Sequence, residues 1–132
     1  MVSQVSLECR QAGALPTTLM VKSFPRKSTA EDLAEVIIAT VGPYVCNLVY
    51  VPWDHNKNVN AGYAFVNFVD SHEALRAAAS LGAEFARISP SGSPPMTIMP
   101  AKISGIRESI LACTRPNKRG KHKVGQLLTY YQ

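Results

Sequence analysis

Residues 61–68 read Ala-Gly-Tyr-Ala-Phe-Val-Asn-Phe, and the alternation within them decides how the chain folds. Side chains along a strand point to opposite faces in turn. Ala64, Val66 and Phe68 can therefore enter a core while Tyr63 and Phe65 stand together on the other face. Aromatics on a core face need no explanation. Two rings on the far face expose apolar area that proteins normally hide, which points to a ligand. An unpaired nucleobase is the natural candidate, because every base offers a flat π face to stack on.

Upstream of this strand, Thr18-Leu19-Met20-Val21-Lys22-Ser23 alternates and is rich in strand formers, so it is a first strand, ended by Pro25. Ser28-Thr29-Ala30-Glu31 has the spacing of a capping box opening on Ser28, and Leu33, Val36, Ile37 and Val41 fall on one stripe. A helix over this stretch stops at Gly42-Pro43. Tyr44 to Pro52 reads as a second strand, with Val49 and Val51 inward, Leu48 and Tyr50 on the face of Tyr63 and Phe65, and a bulge expected near Asn47. Trp53 to Asn60 is a polar loop in which Asp54 makes a turn hydrogen bond.

Downstream, Asp70-Ser71-His72-Glu73 has cap spacing, and Ala74, Leu75, Ala77, Ala78 and Leu81 form an Ala-rich helix expected to stop at Gly82. Met96 to Ile103 reads as a strand interrupted at Pro100, hence an edge. Ile106 to Thr114 has the spacing of a short extra helix. The order strand, helix, strand, strand, helix, strand is the split β-α-β of an α+β, ferredoxin-like sandwich: a four-stranded antiparallel sheet with two helices on one face. Residues 1–16 read as a flexible lead-in, 17–113 as the domain and 114–132 as a basic tail. The tail's last stretch, Gln126 to Tyr131, either stays disordered or folds back on the sheet.

The 132 residues suffice for one domain. No stretch has the length and apolarity of a transmembrane helix, which leads to the expectation of an intracellular, nuclear or cytoplasmic, protein that avoids membranes. Cys9, Cys46 and Cys113 are far apart, and the three histidines have no ligand at metal spacing. No disulfide framework, metal or other cofactor is therefore indicated. Residues 1–114 carry nine Lys or Arg and nine Asp or Glu, so the whole +5 charge sits in Arg115, Lys118, Arg119, Lys121 and Lys123. Within the neutral body, Lys22, Arg26 and Lys27 cluster where the first strand meets its helix, beside the rings of Tyr63 and Phe65, while several carboxylates lie on the helices.

Six of the seven constrained positions of the octamer K/R-G-F/Y-G/A-F-V-x-F/Y are met at 61–68. The chain thus resembles an RNA-recognition motif. More narrowly, Thr17 to Lys22 with Pro25 and Lys27, Tyr50-Val51-Pro52 with Asp54, Gly62 to Phe68, and Ala101-Lys102-Ile103 with Gly105 resemble the C-terminal motif of the Mei-two-like meiotic regulators. The resemblance implies that Phe65 stacks a base, that Tyr63 meets sugars or a second base, and that Met20 takes the other stacking position. It departs at Ala61, where Lys or Arg is usual, and at Met20, where the motif usually has an aromatic. Methionine is polarizable and can cover a base, though with less than the roughly 1–3 kcal/mol of an aromatic.

The function expected is a non-catalytic single-stranded RNA-binding module, monomeric, with Met20, Lys22, Tyr50, Tyr63, Phe65, Lys27, Lys57 and Lys102 as its contact residues. The alternative is a module of the same fold that grips a peptide or partner domain. An enzyme of the acylphosphatase type is disfavoured because the turn Phe24-Pro25-Arg26-Lys27-Ser28 lacks a glycine-rich phosphate cradle.

Overall fold

A computed structural model describes residues 16–89, 91–114 and 125–129. The elements are β1 (Thr18–Lys22), α1 (Ala30–Val41), β2 (Cys46–Asp54), β3 (Val59–Asn60), β4 (Tyr63–Phe68), α2 (Ser71–Ile88), β5 (Thr97–Pro100), α3 (Ile106–Thr114) and β6 (Gly125–Thr129). All strand pairs are antiparallel, with β4 between β1 and β2, β5 beyond β1, and β6 beyond β2. This is the ferredoxin-like α+β fold. The lead-in, apart from Pro16, and the five tail cations lie outside the described residues.

Leu19 and Val21 of β1, Val49 and Val51 of β2, and Ala64, Val66 and Phe68 of β4 all turn to the helices and are buried. Against them α1 sets Ala30, Leu33, Ala34 and Ile37, and α2 sets Ala74, Ala77, Ala78, Leu81 and Phe85. The alanines let α2 lie close on the sheet.

Several boundaries differ from expectation. The first helix is capped by Thr29 rather than Ser28: its hydroxyl accepts from the Asp32 amide at 3.1 Å, and the Asp32 carboxylate accepts from the Thr29 amide at 2.9 Å. The second strand begins at Cys46 because Tyr44 has φ +69°, a left-handed turn conformation that a strand cannot include. Its far end runs on to Asp54, and Trp53 and Asp54 pair with Asn60 and Val59, so β3 replaces part of the expected loop. The Asp54 carboxylate accepts from the Asn56 and Lys57 amides at the hairpin tip. The bulge at Asn47 is present as a register shift between Cys46 and Leu48.

The second helix passes through Gly82 and ends at Ile88. A mid-helix glycine costs about 1 kcal/mol relative to alanine, whereas burying a side chain such as Phe85 returns about 1.5–3 kcal/mol. Phe85 is fully buried. Strand β5 is shorter than the expected Met96–Ile103 and ends at Pro100, just before the Ala101 amide donates to the Thr18 carbonyl at 3.0 Å. Strand β6 takes the second of the two fates left open for the C-terminal stretch: it pairs with β2 from Leu48↔Thr129 to Pro52↔Gly125 and covers an edge that would otherwise be open.

Candidate nucleic-acid interface

Directly paired residues of antiparallel strands share a face, so the register lays out the surface opposite the helices. One row across it reads Met99, Met20, Phe65, Tyr50 and Leu127; beside it lie Thr97, Lys22 and Tyr63; on the other side lie Thr18, Asn67, Leu48 and Thr129. The Tyr63 and Phe65 rings meet edge to face, with centroids 5.6 Å apart and planes at 83°. Tyr63 is 37 % exposed and Phe65 is partly so.

The β2 part of this surface is not open at Leu48 and Tyr50. Leu48 is 0 % and Tyr50 4 % exposed although both face away from the main core, because Ile110 of α3 packs with them and Phe65 in a second small cluster. A polar network holds α3 and its lead-in there. The Thr18 hydroxyl accepts from the Gly105 amide at 3.0 Å and lies 3.0 Å from the Ser109 hydroxyl, while the Ser104 hydroxyl accepts from the Thr17 amide at 2.7 Å. Asn67, at the one unconstrained octamer position, anchors the network: its side-chain oxygen accepts from Thr18 at 2.6 Å and Thr17 at 2.9 Å, and its amide donates to Asn47 at 2.8 Å.

What remains is a groove of about 490 Å³ whose floor includes Met20, Phe65 and Tyr63 and whose wall is the segment Pro100 to Ile103. That volume falls within the roughly 300–1,000 Å³ of ligand sites. Six of the eight expected contact residues line it, namely Met20, Lys22, Tyr50, Tyr63, Phe65 and Lys102. Tyr50 contributes only a buried edge, contrary to the expectation of an open ring. Lys27 and Lys57 lie apart, the first in the β1–α1 loop and the second on the β2–β3 hairpin tip, both exposed. Met99, Thr18, Ile103 and Ser109 line the groove without having been anticipated. Of these, Met99 follows from the register alone, as the partner of Met20.

Among the described residues, Lys22 and Lys102 are the cations lining the groove, and no carboxylate lines it. Glu31, Asp32, Glu35, Glu73 and Glu84 belong to α1 and α2 on the opposite side of the sheet. Among the described residues no group of three or more His, Cys, Asp or Glu could hold a metal, and no helix is long and apolar enough to cross a membrane. Burial pushes the Cys46 thiol up to about 11, partly offset by a hydrogen bond with the Leu48 backbone. Such a thiol is inert rather than catalytic.

Comparison with known proteins agrees with this geometry. Two curated relatives are each described as Protein MEI2-like 5: the one from Oryza sativa subsp. japonica is 46 % identical over 52 residues, 39 % of this chain and 6 % of its own length. The one from Arabidopsis thaliana is 40 % identical over 55 residues, 41 % of this chain and 7 % of its own length. The chain thus spans a small fraction of these relatives. Among solved structures, a Sex-lethal protein/RNA complex has a TM-score of 0.53 at 25 % identity, over 69 % of this chain and 50 % of that one. The Rna15 RRM with bound RNA (GU) has a TM-score of 0.52 at 24 % identity, over 74 % of this chain and 95 % of that one, a likeness of fold. The family described as RNA recognition motif 2 matches residues 16–106, and the chain belongs to that family.

Proposed function

We propose that this domain binds single-stranded RNA without catalysis, stacking bases on Phe65 and Met20, placing Tyr63 against a sugar or second base, and drawing phosphates to Lys22 and Lys102. The observation that carries the reading is the edge-to-face ring pair on the floor of a groove that is edged by lysines and, among the described residues, lined by no carboxylate. A flat apolar floor with cations at its margin suits a ligand that alternates π faces with negative charge. The Sex-lethal neighbour, solved as a complex with RNA, supports the same reading. So does the family to which the chain belongs.

Burial of Leu48 and Tyr50 under α3 favours a second reading, in which the shortened groove grips a peptide. Titration of short RNA oligonucleotides by fluorescence distinguishes the two. Removing both rings, Tyr63→Ala with Phe65→Ala, abolishes RNA binding under the proposal; unchanged affinity would sink the stacking mechanism.

A further inference from the structure

The octamer lacks its usual basic residue, since position 61 is alanine. The structure sets a different cation beside the next residue, Gly62. The Arg26 side chain lies over Gly62: its Nη1 is 3.4 Å and its Cδ 3.7 Å from the point that a Cβ on Gly62 would occupy. Gly62 has φ +94° and immediately precedes Tyr63, so the guanidinium sits one residue from the exposed ring pair. Arg26 is exposed and has no ion pair among the described residues, where the two salt bridges are Arg76–Glu73 and Arg87–Glu84.

This placement is built, because the loop carrying Arg26 is clamped to the short connection between β3 and β4 that carries Ala61. Asn60 is fully buried. Its backbone amide donates to the Arg26 carbonyl at 2.9 Å, and its side-chain amide donates to the carbonyls of Pro25 at 2.5 Å and Ser28 at 2.9 Å. Its side-chain oxygen accepts from the Gly62 amide at 2.8 Å, and the Phe24 amide donates to the Gly62 carbonyl at 3.0 Å. Four hydrogen bonds therefore join residues 24–28 to residues 60–62 at the end of the platform, and the bond from Gly62 to Asn60 holds the second segment in shape. A long side chain on an open loop loses much rotamer freedom when it binds, whereas a backbone held in this way sets the root of Arg26 beforehand.

We infer that Arg26 supplies the phosphate contact that the octamer forfeits at Ala61, reaching from the β1–α1 loop to the backbone of the nucleotide that meets Tyr63. The guanidinium is a permanent cation with a planar fork of donors that matches a phosphate. This inference rests on the RNA-binding reading, and the test separates the two.

The experiment measures the affinity of the full chain for a short single-stranded RNA at several salt concentrations, for the wild type, Arg26→Ala and the double variant Arg26→Ala with Ala61→Arg. Losing one released counterion near 0.1 M salt corresponds to about fivefold in affinity and flattens the log–log salt slope by about 0.7. Arg26→Ala is expected to show both changes, with an unaltered circular dichroism spectrum because the side chain is exposed, and Ala61→Arg is expected to restore affinity and slope together. Affinity unchanged in Arg26→Ala, a loss with no change in slope, or no restoration by Ala61→Arg overturns the inference while leaving the RNA reading intact if Phe65→Ala still weakens binding. A wild-type chain that binds no RNA overturns both.

Discussion

Gly125 offers the sharpest test of how the C-terminal strand belongs to the fold. A Cβ built on it would lie 2.7 Å from Cε1 and 2.8 Å from Cζ of Tyr50, and 2.7 Å from the Val51 carbonyl oxygen. The ring could turn only by disturbing the small cluster of Leu48, Phe65 and Ile110, and the carbonyl is backbone. In Gly125→Ala either that cluster is strained or the start of β6 lifts away, losing the contact of Leu128 with the core and the bond from the Ala30 amide to the Gln126 side chain. Overpacking of this kind costs about 1–3 kcal/mol. Letting the strand go costs a similar amount, since a lost hydrogen bond is worth about 0.5–1.5 kcal/mol and a half-buried leucine about 1 kcal/mol. Urea unfolding followed through Trp53, the single tryptophan, at the end of β2, reads the change. Leu127→Ala is the control, because Leu127 is exposed and its loss is expected to stay within about 0.5 kcal/mol of the wild type. A Gly125→Ala midpoint equal to that of the control would refute the claim that β6 is docked through a close approach at this glycine.

Two further outcomes are expected. Asn67→Ala should cost about 1–3 kcal/mol by the same urea assay, at the lower end if the Thr18 hydroxyl turns to Ser109 and the Thr17 hydroxyl to Ser104, both within 3.3 Å; no loss would mean the network does not hold α3. The Cys46 thiol, raised by burial from its ordinary value of 9.0 to about 11, favours the folded state fully below pH 9, and that contribution is lost as pH rises from 9 through 11. Two pKa units correspond to about 2–3 kcal/mol. Stability measured across that window should therefore fall less steeply in Cys46→Ala than in the wild type, and parallel curves would contradict the assignment.

The parts legible in the sequence are those where local pattern and tertiary role coincide. The alternation of β1 and of the octamer strand separates Leu19, Val21, Ala64 and Val66 from Met20, Tyr63 and Phe65 without reference to anything distant, and the structure keeps that separation. Where a long-range contact decides, local pattern fails. Gly82 signals a stop that burial of Phe85 one turn later overrides. Tyr50 has the right parity for the open face but is covered by Ile110, sixty residues away. Gly125-Gln126-Leu127-Leu128-Thr129 carries little strand propensity of its own; β6 forms because β2 presents an unpaired edge and because glycine alone fits beside the Tyr50 ring. Arg26 shows the same limit at the interface. Its charge is visible in the sequence, but its position over Gly62 depends on the hydrogen bonds of Asn60.

The central claim, a stacking surface edged by cations, is tested most directly by titrating a fluorescent pool of short randomised RNA at two salt concentrations with the wild type and with Tyr63→Ala combined with Phe65→Ala. Each stacked base is worth about 1–3 kcal/mol, so losing two rings should weaken binding by at least about 30-fold. The wild-type affinity should fall as salt rises, through release of the counterions displaced at Lys22 and Lys102. Equal affinities for the two proteins, or a wild-type affinity indifferent to salt, would contradict the account.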